Sequence, residues 1–126
     1  MLIITANIGR NIGTAAVESD MRRIKRFVRL SGNKAVIGFQ EIDEADPADE
    51  HEILGKVFDH WHKANFNSRV PIVASPKAKV VKTKAIALHA GIPHTSPPRI
   101  ATEIWVKHRD DQKPVVYLNW HIVAGA

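Results

Sequence analysis

Glu41, Asn7, the pair Asn119/His121 and Arg99 are the residues of this chain whose types and settings suit chemistry at a phosphate. Glu41 lies in the stretch KAVIGFQEID, residues 34–43, where the small or apolar run Ala35–Phe39 meets Gln40, Glu41, Asp43 and Glu44. Such a run, bounded by polar residues, marks a strand buried on both faces. Ligands of open α/β sheets bind outside the carboxyl ends of such strands. Glu41 is thus a carboxylate placed where a buried strand surfaces, although an ordinary acidic loop would read the same way. Asn7 and Asn119/His121 recur in the same setting, at or near the ends of apolar segments. A carboxylate with a side-chain amide suits a hard divalent cation held by oxygens and retained waters. A neighbouring His suits a general acid or an electrophile towards a phosphoryl oxygen. Arg99 follows Pro97-Pro98 and suits a fixed, bidentate clamp on phosphate.

The elements that must position these side chains can be read in chain order. LIITA, residues 2–6, starts a strand that ends at Asn7. Thr14 is expected to cap a helix, with Glu18 in its first turn. Val17, Met21, Ile24 and Val28 form the apolar stripe of that helix, and the arginines lie mostly off it. Ser31-Gly32-Asn33 should stop the helix, with Gly32 in a left-handed cap. The strand that ends at Gln40 follows. Strand, helix and strand in this order make a βαβ unit with parallel strands. After the acidic loop EIDEADPADE, a short helix is expected from Asp49 or Glu50 through Phe58. HWHKANF, VPIVAS, AKVVKTKAIALHA (long, either straight or bent), IATEIWVKH and VVYLNWHIV read as strands, the later ones largely antiparallel.

Composition narrows the class. The chain has 126 residues, 44% hydrophobic and 25% charged, as in a single globular domain. It has no cysteine, which excludes disulfides and thiolate zinc sites. Its apolar runs are too short to cross a bilayer and its N-terminus lacks the pattern of a signal peptide, so a cytoplasmic location without membrane partners is expected. Eighteen Lys and Arg against thirteen Asp and Glu give a net charge of +5. The excess is local, in Arg22, Arg23, Lys25, Arg26 and Arg29 and again in Lys77, Lys79, Lys82 and Lys84. Such clusters suit nucleic acid, or are simply solvated faces.

TANIG at 5–9, GFQEID at 38–43 and LNWHI at 118–122 resemble the first three motifs of the endonuclease/exonuclease/phosphatase superfamily. The resemblance implies a four-layer α/β sandwich, of which this chain would be the N-terminal half: one mixed β-sheet with helices on one face. It implies that Glu41 binds Mg²⁺ (or Mn²⁺), that Asn7 lies near the metal, that His121 contacts the scissile phosphate, and that Asn119, of the same motif, belongs with Asn7 and His121 to the catalytic set. Trp120 stands where the family usually has Thr, and Arg99 matches a family Arg by position alone. The later Gly-Asp-Phe-Asn and Ser-Asp-His motifs, which position water and complete the site, do not occur in this sequence.

Two functions are therefore expected as alternatives. One is a Mg²⁺-dependent phosphodiesterase or nuclease polypeptide, incomplete by itself; the other is a non-catalytic module that binds nucleic acid or protein. An uncovered sheet face favours association with a second copy or with a missing C-terminal half. Smaller expectations concern His60 and His62, two apart on a strand, His89 and His94 beside a Gly-Pro loop, and Asp43 as a second carboxylate. Trp61, Trp105 and Trp120 are read as core or interface residues.

Overall fold

A computed structural model describes residues 1–8, 13–42, 50–89 and 99–121, with backbone alone at residues 88, 89 and 99. The βαβ unit is as expected. Strand β1 (Leu2–Asn7) runs parallel to β2 (Ala35–Gln40), in register from Leu2 beside Ala35 to Asn7 beside Gln40. Helix α1 (Thr14–Leu30) connects them and buries Val17, Met21 and Val28. Its start differs from expectation. Gly13, not Thr14, is the N-cap, at φ 83°, and no side chain caps the helix. Glycine adopts that backbone without a Cβ penalty, so Thr14 is carried into the first turn. Glu18 falls beyond the first turn and bonds instead to Arg22 and Lys56. At the other end Gly32 takes φ 109° and Asn33 φ 62°, reversing the chain towards β2.

Helix α2 (Glu50–Val57) lies beside α1, and Lys25 of α1 donates to the Val57 carbonyl at 2.7 Å. Strands β3 (His62–Ala64) and β4 (Ile72–Ala74) complete a mixed sheet of order β1-β2-β4-β3. Both are shorter than HWHKANF and VPIVAS suggest. His60 lies in the turn before β3, so strand alternation does not place it on one face with His62. His60 sits 3.5 Å from Asp59, and the His62 ring contacts the Pro76 carbonyl at 3.3 Å. Trp61 is buried against Phe58, at 4.9 Å between ring centroids. Asp43, Asp49 and His94 lie outside the described residues.

The remaining strands, β5 (Lys79–His89), β6 (Arg99–Lys107) and β7 (Val115–Asn119), do not extend the mixed sheet. They form a second, antiparallel sheet, with register shifts in β5 between Val80 and Lys82 and again between Ala87 and His89. The alternation of β2 explains the layering. Ala35, Ile37 and Phe39 face the helices and join Val17, Met21, Leu54 and Phe58 in one core. Val36 faces the other way and joins Ile72, Ala74, Ile104 and Val106 in a second core between the sheets. Each fully buried aliphatic or aromatic side chain contributes about 1.5–3 kcal/mol of transfer free energy. A strand apolar on both faces is what a middle layer requires. The architecture is therefore helices on one face of a mixed sheet, with a second sheet over part of the other.

No helix among the described residues is long and apolar enough to cross a membrane.

Candidate active site

Parallel pairing brings the carboxyl ends of β1 and β2 to one edge, where Asn7 lies beside Gln40. The next residue, Glu41, has φ 61°, an uncommon conformation for a residue with a Cβ. It costs about 1–3 kcal/mol and persists only where the surroundings enforce it. Here the enforcement comes from both sides. The Ile8 N–H donates to the Gln40 carbonyl at 3.1 Å, and the Ile42 N–H donates to the Arg69 carbonyl at 3.2 Å. Ile42 is fully buried, so the chain must turn at Glu41 to bring the Ile42 side chain back into the helix-side core. The Glu41 side chain stays 21% exposed, with Oε1 3.5 Å from Nε2 of His121, itself 25% exposed. That is ion-pair distance for a protonated ring, longer than a neutral hydrogen bond.

Asn119, the last residue of β7, is buried and bonded internally at both ends of its carboxamide. Its Oδ1 accepts from Gln40 Nε2 at 2.7 Å. Its Nδ2 donates to the carbonyls of Phe39 at 2.8 Å, Val70 at 3.2 Å and Pro71 at 3.2 Å. Gly38 makes room for it: a Cβ there would stand 2.8 Å from Asn119 Cγ. Gln40 continues the chain of bonds to Thr5, whose Oγ1 lies 2.9 Å from Gln40 Nε2 and 3.1 Å from Oε1. Together Thr5, Gln40, Leu118, Asn119, Trp120 and His121 line an open cleft of about 400 Å³.

Of the residues singled out from sequence, Glu41 and His121 are therefore brought together, and Asn119 stands behind them inside the protein. Asn7 is exposed at the end of the adjoining strand. Arg99 is the first residue of β6, three before Thr102, which pairs with Asn119. Its backbone is thus at the end of the second sheet nearest His121. Sequence reasoning missed Thr5 and Gln40 as part of the network. The signal was present in the mid-strand glycine, which marks close approach of another group, and in Gln40 on the same face two residues later. Among the described residues there is no group of three or more His, Asp or Glu that could hold a metal ion. Among the described residues at this edge, Glu41 brings a carboxylate and Asn7 an amide. Mg²⁺ is often held by one or two carboxylates with several waters, so this donor set fits such an ion.

No protein-family model matches the chain, and no curated protein matches its sequence. Solved structures do. The fold is similar to that of TDP2. A truncated Caenorhabditis elegans TDP2 matches with a TM-score of 0.60 at 14% identity, over 97% of this chain and 46% of that one. Another C. elegans TDP2 structure matches with a TM-score of 0.55 at 15% identity, over 92% of this chain and 33% of that one. TDP2 is tyrosyl-DNA phosphodiesterase 2, of the endonuclease/exonuclease/phosphatase superfamily. At these identities the likeness shows the fold alone. This chain spans less than half the length of either TDP2 chain.

Proposed function

We propose that the cleft at the ends of β1, β2 and β7 is one half of a divalent-metal-dependent phosphodiesterase site that acts on nucleic acid. The observation that carries this reading is the approach of Glu41 and His121 to 3.5 Å beside that cleft. Glu41 would hold Mg²⁺ or Mn²⁺, with the Asn7 amide alongside. A bound ion would neutralise charge on the phosphoryl oxygens and polarise the phosphorus. The His121 ring would donate through Nε2 to a non-bridging oxygen, where charge grows in the transition state. Arg99 would add a second cationic donor from the start of β6. Asn119 would act by holding β7, and hence His121, in place. The net charge of +5 and the DNA phosphodiesterase named among the fold's neighbours both support nucleic acid as the substrate class.

Groups that orient and deprotonate water would come from outside this chain, either from a second copy seated on the part of the mixed sheet that the second sheet leaves exposed or from a complementary half. The test is Mg²⁺-dependent hydrolysis of single-stranded and duplex DNA by wild type and Glu41→Gln. Loss of about 100-fold or more is expected for the variant. Mg²⁺-dependent hydrolysis by the wild type that Glu41→Gln leaves unchanged would exclude the site.

A second reading is a binding module without catalysis. It is favoured by the complete internal bonding of Asn119, a residue that the superfamily resemblance makes a catalytic candidate. Metal-independent, salt-sensitive DNA binding without cleavage is its signature.

A further inference from the structure

The strongest concentration of charge in the molecule is not at the cleft. Helix α1 carries Arg22, Arg23, Lys25, Arg26 and Arg29 against Glu18 and Asp20. Lys25 is drawn in to the Val57 carbonyl, whereas all four arginines are exposed. Arg22, Arg26 and Arg29 follow one another at spacings of four and three, so they form a single ridge, and Arg23 flanks Arg26. Ala15 and Ser19 are small and leave a shallow groove beside Arg22, Arg23 and Arg26. Arg22 is paired with Glu18 at 3.0 Å; among the described residues no ion pair engages Arg23, Arg26 or Arg29.

This ridge and the cleft lie on opposite sides of the mixed sheet. The stripe Val17, Met21 and Val28 packs against the face that carries Ala35, Ile37 and Phe39. Gln40 and Asn119, which line the cleft, belong to the face of Gly38. We infer that the α1 arginine ridge is a second nucleic-acid surface, which grips the phosphate backbone of a duplex on the side of the molecule away from the cleft. The inference rests on the nucleic-acid part of the proposed function and not on catalysis.

Charge and spacing select this occupant. The seven residue steps of helix from Arg22 to Arg29 rise about 10 Å. A DNA strand presents one phosphate per roughly 3.4 Å of axis, so the ridge spans about three phosphates. Guanidinium groups pair with phosphate oxygens bidentately, which lysines do not. A bilayer would need an outward apolar stripe. That stripe is buried in this helix, leaving only Phe27 and Leu30 exposed near its C-terminal end. A duplex held on α1 would be tethered to the protein without entering the cleft, raising the local concentration of other segments there.

The test is binding of a fluorescent 20-base-pair duplex across a salt series by wild type, Arg23→Ala/Arg26→Ala/Arg29→Ala and the corresponding triple Arg→Lys variant. The three side chains are exposed, and the Lys variant preserves charge should the Ala variant fold poorly. The Ala variant should bind at least about 10-fold more weakly, with its log–log salt slope flattened by about 2.7. The Lys variant should keep the slope. Wild-type affinity and slope in the Ala variant would overturn the inference. So would α1-dependent binding of phosphatidylserine vesicles by a wild type that does not bind the duplex. Hydrolysis of bis(p-nitrophenyl) phosphate, too small to reach α1, reports on the cleft alone. Metal-dependent hydrolysis of it that Glu41→Gln does not reduce would count against the phosphodiesterase reading and leave an α1-dependent duplex affinity standing.

Discussion

Asn119 reaches from the second sheet into the gap over Gly38 and bonds to β2 and to the backbone leading into β4. A residue of this kind is constrained by shape and by bonding together. Gly38→Ala places a Cβ against the Asn119 amide and should destabilise the fold by about 1–3 kcal/mol, as overpacking does. Asn119→Ala removes a buried carboxamide and leaves Gln40 Nε2 without this acceptor, at a similar cost of about 1–3 kcal/mol. The two changes should not add. The double variant relieves the clash, so its urea midpoint should lie above the value expected from summing the single losses. Strict additivity would show that Gly38 serves some purpose other than clearance for Asn119.

The elements are tied to one another by a few specific contacts beyond their apolar faces. In the helical layer Glu18 of α1 bonds to Arg22 one turn on and to Lys56 of α2 at 3.4 Å. The hydrogen bond from Arg22, then that from Lys56, holds the Glu18 carboxyl below its ordinary pKa. The folded state therefore binds this proton less readily than the unfolded state. The contribution of Glu18 to stability is complete above the ordinary carboxylate range and is lost as pH falls through the lowered value. Comparison of wild type with Glu18→Gln by urea unfolding should show a difference at pH 7 that disappears in strong acid. The pair is exposed, so 1 M salt should also shrink the difference. A difference independent of both pH and salt would mean that Glu18 acts through packing alone.

For the whole molecule the open question of association follows from what the layers leave uncovered. Among the described residues strand β1 is an edge of the mixed sheet, with Ile3 69% exposed on the face turned away from the helices. Leu118 and Trp120, each 46% exposed, flank the same cleft. Exposed apolar side chains next to an unpaired strand edge favour pairing with another chain. The proposed occupant is a second copy or a complementary half. Light scattering should therefore show a dimer or larger species at micromolar concentration, and Ile3→Lys should shift it towards monomer. A wild type that stays monomeric throughout that range would rule out self-association and leave the complementary half.

Much of the fold was legible from local pattern. The βαβ unit, the apolar stripe of α1 and the antiparallel tail all follow from periodicities of 3.6 and 2, which involve residues close in the chain. The candidate site was legible to the extent that Glu41 and His121 each follow an apolar segment. Side-chain pairings across the fold were not. Gln40 and Asn119 are 79 residues apart, and nothing local announces that one will accept the other's bond. The left-handed turn at Glu41 arises because Ile42 must return to the core, which is a demand of packing rather than of the residue itself. Likewise the arginines of α1 were visible as a cluster, but their place on the far side of the mixed sheet from the cleft depends on which face of β2 each layer covers. Sequence order carries the elements and their faces; only the packed layers bring a given pair of side chains together or hold it apart, because those contacts are made between strands and helices that no short window of sequence contains.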